Sequence, residues 1–225
     1  MADMRTPAVI VNYKVYTEVE GIRSLDLSKI CQKVAEESGV SIGVCPPMVE
    51  LSRVADAVDI PVFSQNVDPR KPGSGTGFTT PSLVKATGAF GSLINHSEHK
   101  QSAEDVGTCV GMCHELDLCT CVCADTTEIA ADLARFPPAF IAVEPPELIG
   151  GDISVTTANP KVVSDTVEAV KAVDSDISVL CGAGVKTGED VKAAIDLGAS
   201  GVLLASGVVK SKEPETVIRD LIKYL

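Results

Sequence analysis

Ala8-Val9-Ile10-Val11-Asn12-Tyr13-Lys14 is a short apolar run that stops at an asparagine and, two residues on, a lysine. The chain repeats the design. Phe90-Gly91-Ser92-Leu93-Ile94 runs into Asn95-His96, and Phe140-Ile141-Ala142-Val143 runs into Glu144. Four or five apolar residues without polar alternation, flanked by turn residues, have the length of a strand buried on both faces. A titratable group at the end of such a strand stands on the rim of a parallel sheet. Side chains from distant stretches of chain can converge there on one small ligand.

Working outward from these three, similar runs recur over residues 8–12, 41–45, 61–66, 90–95, 118–123, 139–144, 177–181 and 201–205. Helical patterns separate them. After Ser24, the residues Leu27, Ile30, Cys31, Val34 and Ala35 trace one buried helix face, and Gly39 can close the helix. Thr80-Pro81 and Asn159-Pro160 pair an N-cap residue with proline at the first helical position. Thr187 with Asp190 predicts a capping box, although Glu or Gln is the usual partner. Val217, Ile218, Leu221, Ile222 and Leu225 predict a last amphipathic helix. Eight strand–helix units in 225 residues average about 28 residues each, near the lower end for a closed eight-fold barrel. A doubly wound sheet shares the alternation, but eight uninterrupted units favour the barrel. The expected fold is therefore an eight-stranded parallel (β/α)8 barrel. No Pro/Gly/Ser-rich linker or change of composition marks a boundary, so residues 1–225 read as one catalytic domain.

A formal charge of −12 argues against nucleic acid as a partner, because that binding rests on Lys and Arg neutralising phosphates. It also requires that an anionic substrate meet a local positive site. No run of 18 apolar residues and no signal-like N-terminus is present, so the expectation is a soluble, cytoplasmic protein without a membrane partner. Eight cysteines suggest metal or disulfide chemistry at first sight. However, there is no Cys-x-x-Cys, and Cys119, Cys121 and Cys123 alternate along one strand. Reduced thiols serving as small core residues fit better than a metal site.

Among the rim groups, Lys14 has Asn12 beside it to fix its ammonium. His96 precedes a turn that can begin a helix, whose N-terminal partial charge would keep the imidazole neutral and suited to polarising a carbonyl. Glu144 opens Glu144-Pro145-Pro146-Glu147-Leu148-Ile149-Gly150-Gly151, prolines at one end and glycines at the other, a composition that suits a hinged lid. A glutamate beneath a closing lid loses water and gains basicity. The last two runs end in Cys181-Gly182-Ala183-Gly184-Val185 and Ala205-Ser206-Gly207. Small residues after strands seven and eight form the frequent phosphate site of this barrel.

Taken together, Asn12-Tyr13-Lys14, His96-Ser97-Glu98, Glu144-Pro145 with the lid, and the two glycine turns resemble the triosephosphate isomerase family in order and spacing along nearly the whole chain. Ser64-Gln65-Asn66 and Gly75-Thr76-Gly77 match further stretches, and the short length is similar to the archaeal-type branch. The resemblance implies the TIM barrel and interconversion of dihydroxyacetone phosphate and D-glyceraldehyde 3-phosphate through an enediol(ate), in glycolysis and gluconeogenesis. It implies Glu144 as base, His96 as electrophile and proton shuttle, and Lys14 with Asn12 offsetting substrate charge. Backbone N–H groups of Gly150, Gly184, Ala205 and Ser206 would hold the phosphate, and Glu98 would support Lys14 from behind. No metal or organic cofactor is implied. Members of the shorter branch imply a homo-oligomer, a tetramer with a dimer as the alternative, and Thr76 resembles the residue that reaches into a neighbouring subunit.

The chain departs from the family pattern in places. Tyr13 replaces a common tryptophan, His99 and Lys100 replace two arginines, and Cys123-Ala124-Asp125 lacks a glycine–glutamate pair. Two other classes stay open on the residues alone: a Schiff-base aldolase using Lys14, and a barrel that binds sugar phosphates without turnover.

Overall fold

A computed structural model describes residues 4–145 and 159–225. Eight strands alternate with helices: β1 Ala8–Asn12, β2 Ser41–Cys45, β3 Phe63–Ser64, β4 Gly91–Ile94, β5 Cys119–Ala124, β6 Phe140–Val143, β7 Ser178–Cys181 and β8 Gly201–Leu204. All are parallel, in the order β2-β1-β8-β7-β6-β5-β4-β3. A parallel bridge between Val44 and Val62 joins the two ends of that order, with the Val44 N–H donating to Pro61 O at 3.0 Å. The sheet is thereby closed into a (β/α)8 barrel. β3 is shorter than the apolar run 61–66 predicts. Pro61 has no N–H to give to a ladder, and the Gln65 N–H turns away to Met48 Sδ.

Each run is apolar throughout because it has two apolar neighbours. Alternate residues point inward, where Ile10, Phe63, Leu93, Phe140, Leu180 and Leu203 fill the barrel with Cys45, Cys121 and Cys123. The other set, including Val9, Val11, Ile94, Ile141 and Val202, packs outward under the helices. Among the described residues the helices are α1 Ile22–Ser38, α2 Leu51–Ala55, α3 Pro81–Ala86, α4 Ala103–His114, α5 Thr127–Ala134, α6 Pro160–Val173, α7 Gly188–Asp196, α8 Ser206–Val209 and α9 Pro214–Leu221.

The local signals operate with two corrections. Leu27, Cys31 and Val34 of α1 are buried, and Gly39 ends the helix at φ 76°, its N–H donating to Ala35 O. Thr80 caps α3, and Thr187 with Asp190 forms the full capping box of α7. Asn159 precedes Pro160 at the first position of α6 but makes no side-chain cap bond. Leu225 lies beyond α9, because the last residues leave the helix in turns. All eight cysteines are free, and seven are buried. Burial pushes the thiols of Cys31, Cys113 and Cys181 up to about 12, which keeps them protonated and inert.

Ile10 is fully buried in the barrel interior. Ile10→Ala is expected to lower the unfolding free energy by about 2–5 kcal/mol, read from denaturant curves at fixed protein concentration.

Candidate active site

The C-terminal ends of β1, β4, β6, β7 and β8 surround a small cleft that is open to solvent. Asn12, Lys14, His96, Glu144, Gly184, Ala205 and Ser206 all line it. Of the residues expected from sequence, only Gly150 lies outside the described residues, together with most of the lid stretch 144–151. Glu98 stands behind Lys14.

Lys14 adopts φ 50°, a left-handed turn immediately after β1. Two amides hold that turn. Asn12 Oδ1 accepts the Lys14 N–H at 2.9 Å, and Gln65 Nε2 donates to Lys14 O at 2.8 Å and to Cys45 O at 3.0 Å. Asn12 thus fixes the backbone of Lys14 and not its ammonium. The ammonium is held by Glu98, Nζ to Oε1 at 2.8 Å.

His96 is 5% exposed. Its Nδ1 accepts the Glu98 N–H at 3.1 Å, so the proton of the neutral ring sits on Nε2. Nε2 faces Glu144 Oε1 at 3.6 Å. The helix dipole expected to keep this ring neutral is not at hand, because α4 begins only at Ala103. A single turn, closed by the His99 N–H on His96 O at 2.7 Å, takes its place. Burial, with Lys14 and Lys100 nearby, lowers the imidazole to about 4 against the opposing pull of Glu98.

Glu144 is 4% exposed, its N–H tied to Ala124 O at 2.8 Å. Oε2 is buried without a hydrogen-bond partner among the described residues. Desolvation raises the carboxyl to about 7, although the Cys123 thiol and the Lys14 charge favour the carboxylate. A carboxyl near 7 is poised both to take up and to give back a proton at neutral pH.

The structure adds groups that motif reading passed over. A Cβ at Gly182 would lie 2.4 Å from Glu144 Cγ. This glycine therefore makes room for the carboxylate and is not only part of an anion-binding turn. Lys186 also lines the small-residue end of the cleft. The only sequence signal for Lys186 was its place directly after the Gly182–Val185 turn. Two departures from the family pattern find partners: Lys100 pairs with Asp125 at 2.5 Å, and the Tyr13 hydroxyl meets Ser28 Oγ at 2.9 Å under α1. Among the described residues, no cluster of three or more His, Cys, Asp or Glu side chains could hold a metal ion, and no helix is long and apolar enough to cross a membrane.

Fold and site together define a (β/α)8-barrel enzyme whose rim cleft gathers a carboxyl, an imidazole and an ammonium. The family model of triosephosphate isomerase matches residues 7–224. The triosephosphate isomerase of Methanocaldococcus jannaschii is 50% identical over 217 residues, covering 96% of this chain and 99% of that one. Those of Methanobrevibacter smithii and Methanothermobacter thermautotrophicus are 44% and 46% identical, with 99% and 96% of this chain covered and 100% and 95% of theirs. The chain belongs to the triosephosphate isomerase family.

Gly182→Ala is expected to push the Glu144 carboxylate off its position. Turnover should fall on the order of 100-fold, with an unchanged circular dichroism spectrum showing the barrel intact.

Proposed function

We propose that this single barrel domain interconverts dihydroxyacetone phosphate and D-glyceraldehyde 3-phosphate by proton transfer through an enediol(ate), with Glu144 as the base. The observation that carries the assignment of roles is the pairing of a desolvated glutamate with a neutral imidazole 3.6 Å apart on one rim. Triosephosphate isomerase is itself the standard example of that pairing. Glu144 removes a proton from the carbon beside the carbonyl, and the electron pair moves to the carbonyl oxygen. His96 donates its Nε2–H to that oxygen and recovers a proton from the neighbouring hydroxyl. Glu144 then returns its proton to the adjacent carbon. Lys14 faces the developing oxyanion, steadied by Glu98 and, through its backbone, by Asn12. The phosphate sits against the backbone of Gly184, Ala205 and Ser206, which line the cleft. The reaction needs no redox partner, and it ends with Glu144 and His96 back in the protonation states in which they began.

The Lys14–Glu98 ion pair favours an electrostatic role for Lys14 over Schiff-base chemistry. A homo-oligomer, a tetramer with a dimer as the alternative, is part of the same reading. Val15, Val49, Phe78 and Leu83 are exposed apolar side chains near the ends of the first three strands. Thr76 is exposed in a loop pinched at its base by Asp68 and Thr79, which exchange bonds of 2.7 and 2.6 Å. Sedimentation of the native protein is expected to show an assembly, and a monomer would reject it. Eight free thiols suit a reducing, cytoplasmic compartment.

A coupled assay with D-glyceraldehyde 3-phosphate is expected to show turnover that Glu144→Gln reduces by about 100- to 10,000-fold. Full activity in that variant, or none in the parent, rejects the assignment. The base works ionised, so kcat/KM should rise as pH increases through about 7, the Glu144 value, and fall on the acid side. His96, at about 4, stays neutral across that range. Loss of activity on the alkaline side of 7 would contradict this order.

A further inference from the structure

His96 owes its tautomer to one backbone N–H, that of Glu98, and Lys14 owes its place to the carboxylate of the same residue. What holds Glu98 is therefore a question about both groups. Glu98 is itself largely exposed, with 59% of its side chain open to solvent, so packing does not fix it. The stretch from residue 95 to residue 101 is held from its first residue. Asn95 is 5% exposed and adopts φ 61°. Its Oδ1 accepts the Gln101 N–H at 2.9 Å, which closes the far end of the loop back onto its start. Its Nδ2 donates to Cys123 O at 2.9 Å, which ties the same point to β5. Gln101 in turn reaches sideways, Nε2 to Val67 O at 2.7 Å.

A left-handed residue needs only glycine or asparagine to be comfortable. Glycine would satisfy the backbone at position 95. What asparagine adds is an amide whose two ends are both used, each on a different part of the rim. Removing it would free the loop that carries the Glu98 N–H while leaving the left-handed turn in place.

We propose that Asn95 is a positioning residue for the reaction, clamping the 95–101 loop so that the Glu98 N–H selects the His96 tautomer and the Glu98 carboxylate meets Lys14. This rests on the assignment of His96 as electrophile. The test is therefore read first on the protein without substrate, by nitrogen-15 NMR of labelled histidine. In the parent, His96 should show an acceptor-type Nδ1 and a protonated Nε2. In Asn95→Gly both resonances are expected to move toward the average of two tautomers, and kcat to fall about 10- to 100-fold with KM changed much less. Unmoved His96 nitrogens overturn the proposal, whether or not turnover falls. Wild-type kcat overturns it as well. Should Asn95→Gly fail to fold, Asn95→Asp keeps the acceptor for Gln101 but sets an oxygen against Cys123 O. Moved nitrogens with lowered kcat are expected there too, and parental values for both would reject the clamp. If the parent itself were inactive, the nitrogen shifts would still decide the positioning claim separately from the proposed function.

Discussion

Closure of the parallel ladder is the constraint on which the rest of this protein depends. Eight strands running the same way bring eight C-terminal ends to one rim, and the bridge between Val44 and Val62 joins the order's two ends. A parallel ladder in one ring leaves no long free edge and buries each strand on both faces. That is why the runs are apolar throughout, and why polar residues appear where each strand ends. Lys14, His96 and Glu144 are 48 or more residues apart in sequence but share one cleft.

Once the rim is formed, the site is governed by exclusion of water. Burial disfavours the charged form of Glu144 and of His96 alike, raising one and lowering the other. A base near neutrality and an uncharged donor follow from the same low-dielectric surroundings. Lys14 stays useful there because Glu98 balances it at 2.8 Å without filling the cleft. The molecule is strongly acidic overall, and Lys14 and Lys186 bring cationic side chains to the lining of the cleft, where an anionic substrate needs them.

Much of this was legible residue by residue. The strands start and end within one residue of the apolar runs, except β3, where Pro61 and the turn at Gln65 shorten the ladder by two residues at each end. The capping box at Thr187 was readable because caps are local hydrogen bonds between near neighbours. Asn159 shows the limit: a cap-type residue followed by proline does not make the side-chain bond when its backbone is turned elsewhere. The neutrality of His96 was anticipated for a different cause than the one observed. A turn and a helix start look alike in sequence, and only coordinates distinguish a Glu98 N–H from a helix dipole.

Hydrophobic period, strand count and the identity of the rim residues were decided by the sequence alone, because they rest on near-neighbour chemistry and on the apolar cost of exposing each run. Contacts between residues far apart were decided by the tertiary structure. Gly182 leaving space for Glu144, Gln65 holding Lys14, and Asn95 joining Gln101 to β5 each need two or three strands brought side by side. No local pattern encodes such meetings. They exist only after the ladder has closed and set the distances across its rim.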